Sequence, residues 1–195
     1  MQTLIAPFLS LRNKSFARLY AAETISLLGD AFTWVGIALL AYELAQQQAA
    51  SILSVALTLR VSAFIIFAPV AGVLADRYPR RTILISTHLG RMVVVGLFPF
   101  ATQTWQVYAL IVGLNVFNAF FTPAYKATIP QFVPNTKDSK QAITLSNATY
   151  QLLGVLGPGL AGALAGLISI YQIFWLDALS FLVAGILIVT LPPSA

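Results

Sequence analysis

The chain has 195 residues, of which 58% are hydrophobic and only 9% charged, and its mean hydropathy is +0.84. Soluble domains carry about 25% charged residues, so this composition excludes a fold coated by water and points to a membrane protein. Zero cysteines exclude disulfides, thiolate zinc sites and iron–sulfur clusters, and a single histidine removes His-based metal sites and Ser/His/Asp chemistry.

The net charge of +5 comes from basic residues scattered between apolar runs, which fits a positive-inside topology rather than nucleic-acid binding. Residues 1–10 are uncharged and broken by Pro7, without the basic start of a signal peptide. The first hydrophobic segment is therefore expected to remain as a membrane anchor.

A spanning helix needs about 20 apolar residues. The uncharged runs 92–125 and 141–176 are each too long for one crossing, and polar turns at 99–104 and 169–172 divide them. Six helices are expected, over 16–45, 50–75, 81–100, 104–127, 139–167 and 171–191, with an ordered turn at 130–138 that contains Pro130 and Pro134. Arg12, Lys14, Arg18, Arg77, Arg80, Arg81, Lys126, Lys137 and Lys140 all fall at one side, and the opposite loops hold no Lys or Arg. That side is expected to be cytoplasmic, with both termini on it. Asp30-Ala31-Phe32-Thr33 in the first helix loosely echoes Asn118-Ala119-Phe120-Phe121-Thr122 in the fourth, the kind of trace an inverted three-plus-three repeat leaves.

Charges inside a bilayer cost at least about 2.5–3.5 kcal/mol each at mid-depth, so they are turned inward, paired or functional. Glu23, Asp30, Arg60, Arg91 and Asp177 need such an account. The helical rise places Asp30 about 21 Å along the first helix, with Arg60 and Arg91 also near mid-depth. Asp30 is either a site for a proton or a cationic substrate, or one member of an ion pair that locks the first three helices together. Arg60 and Arg91 read as structural partners of it. Glu23 and Trp34 share the face of Asp30, Glu23 being an entry-side charge or a partner of Arg18. Asp177, about 10 Å into the sixth helix, reads as a helix-terminal or hydrogen-bonding residue. Asn115 and Asn118 on the fourth helix and Asn147 and Gln151 on the fifth either join helices or line a wet cavity.

Loop 72–81 reads Gly-Val-Leu-Ala-Asp-Arg-Tyr-Pro-Arg-Arg. Gly72 would permit close helix approach, and Asp76 would accept hydrogen bonds from helix-start amides. With Arg77, Arg80 and Arg81 the loop resembles the cytoplasmic signature of the major facilitator superfamily. The segment carrying Gly154, Gly157, Pro158 and Gly162 resembles the glycine-proline motif of that superfamily's exporters, with small residues for tight packing and a proline bend. Asn13, Phe16, Leu19, Ser26, Gly29, Asp30, Pro123-Ala124, Ile129-Pro130, Val133-Pro134, Asn147, Gly157-Pro158 and the run Asp177-Ala178-Leu179-Ser180-Phe181 extend the resemblance to the branch of macrolide efflux proteins and the enterobactin exporter. Pro79 stands where a loop glycine is commoner, and the fourth helix lacks the arginine of many drug–proton antiporters, which leaves Asp30 as the carrier candidate.

The resemblance implies an all-α membrane protein whose six helices form one half, a three-plus-three inverted repeat, of a twelve-helix transporter. Residues 1–15 would be a cytoplasmic segment, 16–191 the bundle and 192–195 the start of a linker. The expected function is proton-coupled efflux of amphipathic small molecules across the plasma (inner) membrane, without cofactor, metal or catalytic residues. The carboxy-terminal half would be supplied by the same full-length chain or by a second copy. The alternative is a six-helix module that no longer transports and docks to a partner protein.

Overall fold

The computed structural model describes Phe8 and residues 10–192. The expectations for residues 1–7, 9 and 193–195, which include most of the amino-terminal segment and the linker start, lie outside the described residues. Within a bilayer no water is present to satisfy backbone groups, so long apolar runs must close their hydrogen bonds inside helices. Six long helices form: α1 (Lys14–Ala45), α2 (Ala49–Arg77), α3 (Arg80–Leu97), α4 (Thr104–Phe132), α5 (Thr136–Ala165) and α6 (Ile170–Val189). The first apolar tract, Lys14–Arg77, runs for 64 residues. It is divided into α1 and α2 by the 3-10 turn Gln46–Gln48, where Gln46 takes a positive φ of 38°.

One expected boundary is corrected. Helix α4 continues through Pro123 and Pro130 to Phe132, and α5 starts at Thr136, so the expected turn at 130–138 shrinks to 133–135. An interior proline removes one backbone donor and bends a helix without having to end it when neighbouring helices hold both sides.

The helices pair in a pattern that is symmetric under exchange of α1, α2, α3 with α4, α5, α6. The pair α1–α6 matches α3–α4, α1–α5 matches α2–α4, and α3–α6 maps onto itself. Because consecutive helices alternate in direction, the two triplets run oppositely, which is an inverted repeat. Close approach is made by glycine at a few points. A side chain at Gly29 would strike Asp177 and Ser180, one at Gly36 would meet Phe174 at 3.0 Å, and one at Gly157 would meet Ala31 at 2.6 Å. Within this bundle Gly72, Gly154 and Gly162 make no such approach, since nothing lies within 4 Å of a Cβ at any of them. These glycines sit on open faces of the bundle.

Two apolar clusters sit at opposite ends of the bundle. One gathers Phe16, Leu19, Leu84, Tyr125, Ile129 and Ile188 beside the loops rich in basic residues. The other gathers Ile37, Leu40, Phe98, Ile111, Phe174 and Phe181 at the far end. Between them lies a buried polar layer of Ser26, Thr33, His88, Arg91, Asn115 and Asp177. The outer surface is apolar, with Val155 77% and Leu167 83% exposed, as lipid contact requires.

The basic end is tied by side chains to helix-terminal carbonyls, which carry partial negative charge. Arg18 donates to the Thr190 carbonyl at 3.0 Å, Arg81 to that of Val189, and Arg80 to that of Ala127 at 2.6 Å. Arg18 is therefore no partner of Glu23. Asp76 is exposed and accepts nothing from the start of α3, which has no side-chain cap, so its expected capping role is also corrected. Asn13 caps α1 by accepting from the amides of Ser15 and Phe16 while its Nδ2 donates to the Phe132 carbonyl at 2.6 Å. Asn13→Ala is expected to cost about 1–2 kcal/mol, read as a lowered thermal midpoint in detergent. Asn13→Asp keeps the cap acceptor and should recover part of that loss; equal midpoints for all three proteins would refute the double role.

Candidate functional site

The polar layer is organised by Arg91 on α3, which is 2% exposed. Its Nη1 lies 3.8 Å from Asp30 Oδ2 on α1 and donates to Asn118 Oδ1 on α4 at 3.0 Å. Its Nη2 lies 3.0 Å from His88 Nδ1. A guanidinium only donates, so Nδ1 accepts and the imidazole proton resides on Nε2, which is buried without a partner. The guanidinium carbon stands 4.3 Å from the Phe121 ring centroid and 4.5 Å from that of Phe181. Two aromatic rings and three polar partners thus hold one cation in place, each ring contact adding attraction in a desolvated setting. Asp30 and Asn118, the two residues of the faint internal echo, are brought together by this one side chain.

Behind this group, Asp177 is fully buried and accepts from Thr33 at 2.6 Å and from Ser180 at 2.9 Å. It is a hydrogen-bonding residue well inside α6, not a helix-terminal one, and it joins α6 to α1 where Gly29 lets the backbones meet.

In front of Arg91 opens a cavity of about 540 Å³, within the range of roughly 300–1,000 Å³ typical of small-molecule sites. Helix α1 contributes Glu23, Ser26, Leu27 and Asp30, and α2 contributes Arg60, Val61, Phe64 and Ile65. Its α4 wall includes Asn115, Asn118, Phe121 and Tyr125, and its α5 wall Ser146, Asn147, Tyr150 and Gln151. Of the residues singled out from sequence, Glu23, Asp30, Arg60, Arg91, Asn115, Asn118, Asn147 and Gln151 all meet here. Asn115 also donates to the Ile111 carbonyl of its own helix at 2.8 Å. Trp34 is not part of the wall; its ring lies under the Arg60 guanidinium at 4.6 Å. Gly72, Asp76, Arg77, Arg80, Arg81, Gly154, Gly157, Pro158, Gly162 and Asp177 lie outside the cavity wall.

Sequence reasoning missed Ser26, Phe64, Tyr125, Lys126 and Ser146 as wall residues, and His88, Thr33 and Ser180 as partners in the layer. A signal for one of them was present: Asn118, Thr122 and Lys126 follow each other at the four-residue spacing of one helix face. Among the described residues, no group of His, Asp and Glu is arranged to hold a metal.

Six helices with apolar exteriors around a polar mid-depth cavity define an integral, multi-pass membrane protein of the transporter type. The family model described as Major Facilitator Superfamily matches residues 19–195, and the chain belongs to that superfamily. It is similar to the uncharacterized MFS-type transporter YfiS of Bacillus subtilis, with 31% identity over 93% of this chain and 43% of the relative. Macrolide efflux protein A of Streptococcus pyogenes is 27% identical over 88% of this chain and 43% of its own length. The multi-drug resistance efflux pump PmrA of Streptococcus pneumoniae is 31% identical over 72% of this chain and 35% of its own. The chain thus spans less than half the length of these curated relatives. No solved structure matches it.

Proposed function

We propose that the chain is one six-helix half, over residues 16–191, of a proton-coupled exporter of amphipathic small molecules in the plasma (inner) membrane, with its amino terminus cytoplasmic. The observation that carries the reading is the mid-depth cavity, whose wall combines the carboxylates Glu23 and Asp30 with Asn115, Asn118, Asn147 and Gln151 beside aromatic rings. The names of the efflux relatives support the direction of transport. Asp30 is the proton carrier. At 21% exposure it is reachable from the cavity, with Arg91 at 3.8 Å and Arg60 farther off as the cations that act on it. The polar wall residues orient the substrate, and apolar neighbours such as Phe64 and Phe121 receive its body.

A second bundle, from the same full-length chain or from another copy, closes the open side of the cavity, and rocking of the two exposes the site alternately. The faces of Gly154 and Gly162, empty of neighbours, are the surfaces offered to it. Gly72, Asp76 and Arg77 belong to the latch at the basic end, while Arg80 and Arg81 anchor that loop to α4 and α6.

The test is reconstitution of the complete protein in liposomes with an imposed pH gradient. Gradient-dependent movement of a fluorescent amphipathic dye is expected; absence of any movement, together with a stable complex with a non-transporter protein, would replace this reading by the partner-docking module. Asp76→Ala is expected to lower turnover several-fold while dye affinity survives, because the carboxylate is exposed, caps no helix here and lies outside the cavity wall, where it is free to act on the partner surface. Unchanged turnover would remove the latch.

A further inference from the structure

The charges around the cavity do not cancel residue by residue. Its wall holds Arg60, Arg91 and Lys126 against Glu23 and Asp30, three cations to two carboxylates. Arg91 has Asp30 at 3.8 Å, together with Asn118 and His88. Lys126 and Glu23 line the same cavity. Asp177 acts on Arg91 from behind and offers nothing to Arg60, because it is fully buried and its oxygens are taken by Thr33 and Ser180. Arg60 is left. It shares the field of Asp30 with Arg91, but among the described residues no carboxylate lies within ion-pair distance of it and no side-chain hydrogen bond reaches it, and its guanidinium stacks on the Trp34 ring at 4.6 Å.

An arginine at mid-depth carries the insertion cost of a charge, and an indole face offsets only part of it. Stacking on the ring leaves the guanidinium N–H edges free, and those edges are a fork suited to two oxygens of an anion. Val61, Phe64 and Ile65 on the same helix line the cavity beside it and offer apolar surface to the rest of a ligand.

We infer that Arg60, supported on Trp34, is the receiving group for the anionic head of the transported molecule, so that the preferred substrate class is amphipathic anions, carboxylates or sulfonates on an apolar or aromatic body, rather than amphipathic cations. The inference rests on the transport reading above and narrows it. Asp30 and Arg91 remain the paired, proton-handling side of the cavity, while Arg60 on α2 handles the cargo. An anion bound there gives Arg60 the direct partner that Asp30, paired with Arg91, does not.

The complete protein in phosphatidylcholine nanodiscs is titrated with 1-anilinonaphthalene-8-sulfonate, an amphipathic monoanion, and with tetraphenylphosphonium, an amphipathic monocation, by equilibrium dialysis against protein-free nanodiscs. Binding of the anion in preference to the cation is expected. Arg60→Gln should weaken the anion about tenfold or more, Arg60→Lys should stay within about threefold of the parent, and the cation should bind Arg60→Gln as well as or better than the parent. A general loss of structure would weaken both probes alike, and the thermal midpoint of each variant identifies it; Trp34→Leu, which removes the support but keeps the charge, should then weaken the anion alone. Preference for the cation, or equal anion affinity in the parent and Arg60→Gln, overturns the inference and leaves the transport reading standing. Binding of neither probe overturns the inference, and the transport reading falls with it only if gradient-driven dye movement is also absent.

Discussion

The complete protein carrying Asp30→Asn is expected to lose gradient-driven export by at least about tenfold, since an intramembrane carboxylate facing a wet cavity is the group able to exchange a proton there. The amide is nearly the same size, so the wall keeps its shape. What disappears is the exchangeable proton and the charge that balances Arg91 at 3.8 Å. Leaving a buried guanidinium without its counter-charge also destabilises the bundle, in general by about 3–5 kcal/mol when one partner of a buried pair is removed, here softened by Asn118, His88 and the two phenyl rings. Export and thermal midpoint must therefore be measured on the same preparation. Asp30→Asn protein that is less stable but exports normally per folded molecule would show that the pair serves only to hold α1, α3 and α4 together.

Gly29→Val is expected to be the most damaging substitution for folding. Even one added carbon at Gly29 would overlap the Asp177 carboxylate and the Ser180 hydroxyl. Backbone and buried carboxylate cannot both stay, so α1 must withdraw from α6. That movement breaks the Thr33–Asp177 bond of 2.6 Å and exposes a carboxylate that the packing had fully buried. Overpacking alone costs about 1–3 kcal/mol, and an orphaned buried hydrogen-bonding group costs about 1–3 kcal/mol more. Within lipid no hydrophobic force between helices offsets this, because the tails are as apolar as the side chains. The measurement is the yield of monodisperse protein and its thermal midpoint, with Gly154→Ala as the control, since no atom lies within 4 Å of a Cβ there. Equal midpoints for the two variants would refute the close contact of α1 with α6.

Much of the architecture was legible because lipid imposes a length rule on apolar runs. The six expected helices correspond to α1–α6, and the turns near 46–48, 98–103 and 166–169 fall where polar residues interrupt the runs. The end of α4 was misread for a definite reason: Pro130 and Pro134 suggest a turn, yet a proline in a helix held by neighbours bends it without stopping it. The candidate site was legible in its charges, since charge in a bilayer is conspicuous at any position. The partners were not, because Thr33, Ser180 and His88 carry no such signal and are joined to Asp177 and Arg91 only by the packing of separate helices. The glycines were legible only in part. Of the motif glycines, Gly157 makes the close contact expected of it, while 72, 154 and 162 meet nothing within this bundle, and Gly29, Gly36 and Gly90 also meet neighbours; no local pattern distinguishes a glycine that meets a neighbour from one that faces open space.

The two apolar clusters that bracket the polar layer act as plugs. Around Arg91 stand Leu84, Phe121, Tyr125 and Ile188 on one side and Leu114, Ile111, Phe174 and Phe181 on the other, and the polar groups Glu23, Tyr125, Lys126 and Ser146 lie along the cavity wall. Among the described residues, the polar layer therefore meets open space at the cavity. In the transporter proposed above, charge would then cross the membrane only as fast as the cavity changes the side to which it opens.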